Sequence, residues 1–143
     1  MDSFKDIGLL QELIKSITEI GFKTPTPIQR ESIPFLIQDN KDLIALAQTG
    51  TGKTAAFGLP VLHKINSKDK NVQAIVLCPT RELCIQIAKD LVTYSKYLKL
   101  VKVIDTHIHA DHITGLNELS KIYNCSKIMG EQSKSEVIDV RVK

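Results

Sequence analysis

The apolar positions Leu9, Leu10, Leu13, Ile14, Ile17 and Ile20 recur at steps of mostly three and four, the spacing that lines one face of an α-helix. Gly21 follows the last of them and supplies a residue that ends a helix at little steric cost. A first helix is therefore predicted from about Ile7 to Ile20. The next stretch, Lys23-Thr24-Pro25-Thr26, is expected to be extended. Pro27 suits a first helical turn, where its missing N–H has no intrahelical partner to lose. A second helix follows to about Gln38, with Pro34 as a local disturbance and Asp39 and Asn40 as the closing turn.

Beyond it three short apolar runs, Leu43 to Leu46, Ala74 to Cys78 and Val101 to Ile104, are separated by segments of helical length. Two of those segments, Thr54 to Ile65 and Arg81 to Leu98, carry apolar residues at steps of three and four, and Asn66 to Asn71 is a polar loop. The alternation predicts βαβ units and a parallel sheet. After Asp105 it continues through a histidine-rich turn, a helix from about His112 to Tyr123, a short run Lys127 to Met129 and an alternating run Val137 to Val142. The expected fold is a single three-layer, doubly wound α/β domain spanning residues 1–143. Its mainly parallel sheet has about four to five strands, with helices on both faces.

Composition narrows this only slightly. The 143 residues are 43% apolar, 24% charged and free of low-complexity tracts, enough for one buried core and unlike a disordered or fibrous chain. The net charge is +3, and the excess lies wholly before Val101, with 13 Lys and Arg against 10 Asp and Glu there and 6 against 6 from Val101 onward. Cys78, Cys84 and Cys125 form no C-x-x-C pair, which suits a reduced, cytoplasmic setting. No apolar run reaches the roughly 18 to 20 residues of a membrane span, so no membrane partner is expected.

The strongest local chemistry lies between the first apolar run and the next helix, in Ala47-Gln48-Thr49-Gly50-Thr51-Gly52-Lys53-Thr54. Gly50 and Gly52 allow successive backbone N–H groups to turn inward onto phosphate oxygens, and the following helix adds its positive N-terminal end. Lys53 would reach the β- and γ-phosphates and Thr54 a magnesium ion. The pattern G-x-x-x-x-G-K-[ST] is met except at its first position, which is Ala47.

These residues resemble the DEAD-box RNA helicases. Gly21-Phe22-Lys23-Thr24-Pro25-Thr26-Pro27-Ile28-Gln29 looks like that family's Q motif, with Phe4, 17 residues before Gly21, like its upstream aromatic. AQTGTGKT resembles the family's phosphate loop, with alanine in first place as the family has it. Pro79-Thr80-Arg81-Glu82-Leu83 resembles its first RNA-contacting motif. The resemblance implies ATP or ADP with Mg2+ as ligand, held by Gln48, Thr49, Gly50, Thr51, Gly52, Lys53 and Thr54, with Phe22 stacked on adenine and Gln29 pairing with the adenine edge. It also implies weak RNA contact through Pro79, Thr80 and Arg81. Read without the family, Thr80 is a helix N-cap and Glu82 a first-turn acid. The family's glycine pair, D-E-A-D box, S-A-T motif and arginine fingers do not occur in these residues. Nucleotide binding without hydrolysis or unwinding is therefore expected.

The three histidines His107, His109 and His112 crowd with Asp111 into Asp105-Thr106-His107-Ile108-His109-Ala110-Asp111-His112. Two histidines two apart in an extended segment point to one side, and Asp111 and His112 open the next helix, a donor set that suits Zn2+ or Fe2+. The segment resembles the H-x-H-x-D-H signature of the metallo-β-lactamase fold, and Ile104 to Lys143 resembles its persulfide dioxygenase-type branch. No histidine follows His112, so the implied site is a partial shell. Taken together, the two resemblances predict a junction near residues 100–103 in a recombined or engineered chimera. An alternative expectation is a chimeric chain that folds and has no activity.

Overall fold

A hydrogen-bonded staple opens the chain. The Ser3 N–H donates to Asp6 Oδ2 and the Lys5 N–H to Ser3 Oγ, closing a 3-10 turn at Phe4–Ile7 that buries Phe4 and Ile7. Gly8, at φ +81°, then redirects the chain. The single helix expected over Ile7 to Ile20 is thus two elements. This left-handed residue interrupts it, and α1 spans Gln11–Glu19. The computed structural model describes residues 3–39, 41–69 and 71–98 in full, and the backbone of 102–104, 126–130 and 140–142. These fall in two compact units, Met1–Lys99 and Leu100–Lys143.

In the first unit, α2 spans Pro27–Gln38, α3 Lys53–Lys64 and α4 Arg81–Tyr94. Pro34 lies within α2 and Pro60 within α3 without ending either helix. α3 is the hub and packs against α1, α2 and α4. Leu13 and Ile17 of α1, Ile33 of α2 and Leu59 of α3 are fully buried between them, each worth roughly 1.5 to 3 kcal/mol of transfer free energy. Ser16 is also buried, its hydroxyl donating to the Glu12 carbonyl at 2.9 Å. Gly58 lets α4 approach closely, since a Cβ there would lie 2.5 Å from Leu91 Cδ2.

α1 ends in a Schellman motif. The Gly21 N–H donates to the Thr18 carbonyl at 3.0 Å and the Phe22 N–H to the Ile17 carbonyl at 2.9 Å, with Gly21 at φ +94°. This turn fixes where Phe22 leaves the helix. At the outer ends of α1 and α4, Lys96 Nζ donates to Glu19 Oε2 at 2.6 Å, the Tyr97 hydroxyl donates to Glu19 Oε1, and Lys15 Nζ lies 4.0 Å from the Tyr97 ring centre. Those two hydrogen bonds, Lys96 first, hold the Glu19 carboxyl below its ordinary range.

The expected strands at 43–46 and 74–78 are not strands. Residues 41–48 and 72–78 run without a β-ladder, and Ile44, Leu46, Ile75 and Leu77 are 90%, 91%, 78% and 90% exposed. An apolar run carries the propensity for a buried strand, but a strand forms only when neighbours take its N–H and C=O groups. Neither run has such a neighbour among the described residues. The strands that do pair belong to the second unit: β1 (Lys102–Ile104), β2 (Ser126–Gly130) and β3 (Val140–Val142), all parallel in the order β1-β2-β3. Lys102 pairs with Ser126 and Ile128 with Val140. The expectation of parallel pairing holds for this sheet, with three strands described where four to five were expected. The helix expected at 112–123 lies outside the described residues.

Two measurements bear on this packing. Replacing Gly21 by alanine meets no atom within 4 Å, so only the left-handed backbone opposes it, and a loss of about 1 kcal/mol in denaturant unfolding is expected. His63 Nδ1 accepts from the Leu10 N–H at 3.3 Å, which requires a neutral ring, and burial, aided by the Lys64 charge, lowers its pKa. The stability this confers is fully present above the ordinary imidazole range and is lost as pH falls from that range through the lowered value of the folded protein. A pH series of unfolding midpoints should show this acid limb weakened in His63→Asn.

Candidate nucleotide site

The site grows from the turn between α1 and α2. Thr26 caps α2, and Gln29, three residues on, folds back so that its Oε1 accepts from the Thr26 N–H at 3.0 Å. The same amide group reaches across the fold, with Gln29 Nε2 donating to the Gly52 carbonyl at 3.0 Å. Thr26 Oγ1 donates to the neighbouring Thr51 carbonyl at 2.9 Å. Two residues of the α2 start thus hold two consecutive carbonyls of the phosphate loop. Gln29 is only 2% exposed, and one amide N–H and one oxygen lone pair remain beyond these bonds.

Gly50 and Gly52 have φ +79° and +83°, and Gly52 forms the N-cap of α3. At Gly52 a Cβ would fall 2.3 Å from Gln29 Nε2, so the contact between loop and α2 excludes a side chain there. Thr51 Oγ1 donates to the Gln48 carbonyl at 2.7 Å, tightening the loop. Lys53 Nζ donates to the Ala47 carbonyl and, at 2.7 Å, to the Gln48 carbonyl. The ammonium therefore lies along the loop, and a phosphate taking it would replace these carbonyls as acceptor. Lys53 and Thr54 stand in the first turn of α3, whose N–H groups have no intrahelical acceptors. Half-buried Thr54 offers a hydroxyl for a magnesium ion. Glycine curvature, first-turn N–H groups, Lys53 and Thr54 together fit a nucleotide polyphosphate with Mg2+, and Gln48 and Thr49, both exposed, stand at the loop's entrance.

Phe22 is half-buried and neighbours two buried rings, with its centre 6.0 Å from that of Phe4 and 5.8 Å from that of Tyr94. Burial, and then the nearby Asp90, push the Tyr94 phenol up to about 12. An apolar cavity of about 450 Å³ between α2 and α3, bounded by Ile28, Leu43, Ala45 and Phe57, touches Lys53 but none of the other expected ligand residues. It is a packing cleft rather than the phosphate cradle.

Thr80 begins α4 as its N-cap, its Oγ1 accepting from the Leu83 N–H at 3.3 Å. Pro79 and Thr80 are exposed and Arg81 is half-buried. The family-free reading of Thr80 and Glu82 is what the helix start displays. His107, His109, Asp111 and His112 lie outside the described residues. Among the described residues, no three His, Cys, Asp or Glu side chains are grouped to hold a metal ion. No helix among them is long and apolar enough to cross a membrane.

Gly52→Ala should combine the left-handed penalty with loss of the Gln29 bond, about 2 to 3 kcal/mol in all. Denaturant unfolding that leaves the midpoint unchanged would contradict the close approach of α2 and the loop.

The chain is similar to known proteins along most of its length. It is 49% identical over 105 residues to the ATP-dependent RNA helicase CshA of Listeria monocytogenes, covering 72% of this chain and 20% of that protein. It is 54% identical over 91 residues to the DEAD-box ATP-dependent RNA helicase CshA of Geobacillus kaustophilus, covering 64% and 19%. The chain thus spans about a fifth of the length of these curated relatives. Among solved structures, Saccharomyces cerevisiae Dbp5 bound to RNA and ADP BeF3 superposes with a TM-score of 0.71 at 29% identity, over 92% of this chain and 38% of that one. A DEAD box protein from Methanococcus jannaschii gives 0.69 at 28% identity, over 92% and 42%. These neighbours support the α/β, P-loop-type fold.

A family profile described as DEAD/DEAH box helicase matches residues 26–135. The match runs past the junction expected near 100–103 and across the histidine cluster. It thereby removes support for a metallo-β-lactamase-like or persulfide dioxygenase-type tail, for a chimera and for a Zn2+ or Fe2+ site. H-x-H-x-D-H is a short pattern, and a short pattern recurs by chance unless its structural context accompanies it. With the profile covering most of its length, this chain belongs to the DEAD/DEAH box helicase family.

Proposed function

We propose that this chain binds adenine nucleotide with Mg2+ as the nucleotide-holding part of a DEAD-box RNA helicase. The observation that carries the reading is the pair of bonds from Thr26 and Gln29 to the Thr51 and Gly52 carbonyls, which joins the base-reading segment to the phosphate loop. In this reading Phe22 stacks on the purine and the remaining N–H and lone pair of Gln29 meet the adenine edge. Lys53 leaves the Ala47 and Gln48 carbonyls for the β- and γ-phosphates. The first-turn N–H groups of α3 and the residues 48–52 surround the phosphate chain, and Thr54 ligates Mg2+. The nucleotide, when bound, supplies the phosphoanhydride whose cleavage drives the family's work.

Hydrolysis requires a positioned water and stabilisation of developing charge. The D-E-A-D, S-A-T and arginine-finger motifs that provide these in the family do not occur in these 143 residues. Binding without turnover is the function proposed for the chain by itself. Pro79, Thr80 and Arg81 at the start of α4 would add RNA contact through the Thr80 hydroxyl, the helix N-terminus and a guanidinium. With a net charge of +3 that affinity is weak and strongly salt-dependent.

Calorimetric titration with ATP and Mg2+ tests the reading. Lys53→Ala should weaken binding by roughly 10- to 100-fold, the worth of charge-assisted bonds to phosphate, and GTP should bind more weakly than ATP. Equal affinity of wild type and variant, or no binding by either, would remove it.

A further inference from the structure

Tyr94 belongs to none of the motifs that point to nucleotide or RNA. It is the last residue of α4, buried, and its ring stands 5.8 Å from that of Phe22 at an interplanar angle of 62°, the edge-to-face arrangement aromatic pairs favour. Phe22 also neighbours the Phe4 ring, likewise buried, at 6.0 Å and 37°. Of the three rings only Phe22 is partly exposed. Its backbone is held as well, through the N–H bond to the Ile17 carbonyl that closes the Schellman turn. The turn therefore fixes where the ring starts, and the two buried rings fix how it is oriented.

We infer that Tyr94 is a positioning residue for adenine recognition, holding the Phe22 ring in the orientation in which it stacks on the purine. The inference rests on the adenine reading of Phe22 given above. A half-exposed ring free to rotate loses that freedom on stacking, and the loss weakens binding; a ring already held by a neighbour avoids it. The phenol hydroxyl has no part in this, since orientation comes from the ring edge and the ring face. Tyr94 also lies at the opposite end of α4 from Thr80 and Arg81, so the helix that would meet RNA ends against the adenine platform.

The test compares ATP with inorganic tripolyphosphate, both with Mg2+, on the full chain. Tripolyphosphate probes the phosphate loop alone, whereas ATP probes loop and platform together. Tyr94→Met, which keeps apolar bulk without a ring, should weaken ATP about three- to tenfold, the worth of an aromatic pair, and leave tripolyphosphate unchanged. Tyr94→Phe should bind both like wild type. Equal weakening of both ligands in Tyr94→Met would make Tyr94 merely structural, and unchanged ATP affinity would remove its role; either overturns the inference, as does a Tyr94→Phe variant that loses as much as Tyr94→Met. If Tyr94→Met fails to fold, the wild type decides by NMR. The Tyr94 ring resonances should shift on adding ATP and not on adding tripolyphosphate, and identical responses would overturn the inference. A wild type that binds ATP no more tightly than tripolyphosphate removes the adenine platform itself, and Tyr94's role with it.

Discussion

Two carbonyl oxygens, those of Thr51 and Gly52, organise this site. Each accepts from a side chain of the α2 start, Thr26 at 2.9 Å and Gln29 at 3.0 Å, across more than twenty residues of sequence. The bonds impose a condition on Gly52, whose left-handed backbone and missing Cβ let the Gln29 amide approach. They also orient α3, which starts at the next residue and is the helix the other three pack around. The start of α2, the glycine loop and the centre of the first unit therefore share one contact region. A buried amide with both ends bonded is costly to disturb, because removing one partner leaves a desolvated polar group behind.

From that region the structure extends by aromatic and helical contacts. Gly21 turns the chain so that Phe22 meets Tyr94 at the end of α4 and Phe4 from the opening 3-10 turn. Glu19, Lys96 and Tyr97 join the outer ends of α1 and α4, but the Glu19–Lys96 pair is solvent-exposed and such pairs contribute little to stability. The weight falls on the buried residues Leu13, Ile17, Ile33 and Leu59. Ile44, Leu46, Ile75 and Leu77 contribute little to this core, since most of their surface is exposed.

Several elements are legible in the sequence. Pro27 at a first turn, the polar closure after Gln38, the loop glycines before Lys53 and Thr80 before a helix are local signals, and α2, α3 and α4 begin within one residue of where these signals place them. Gly21 is legible as a stop, though the Schellman bonds that carry Phe22 are not. Gly8 escapes notice as an interruption because the apolar periodicity runs straight across it. The two strand expectations at 43–46 and 74–78 fail for a different reason, since a run of apolar residues reports only propensity. Gln29 is marked in the sequence by the family resemblance, but its bond to Gly52 is not legible there. The histidine cluster shows the converse hazard, a chemically sensible pattern whose neighbourhood in the sequence matches the helicase family profile.

By itself the sequence determined what depends on neighbours a few residues apart: helix faces, caps, the glycine-dependent curvature of the phosphate loop and the motifs that mark its family. The tertiary structure alone decided that Gln29 and Thr26 grip the loop, that Lys53 lies along the Ala47 and Gln48 carbonyls, that Tyr94 backs Phe22, and which apolar runs gain ladder partners. The division is physical. Caps and turns are satisfied by groups within one helical turn, whereas a ladder, a ring pair or a buried amide needs a partner that only folding brings from a distant part of the chain.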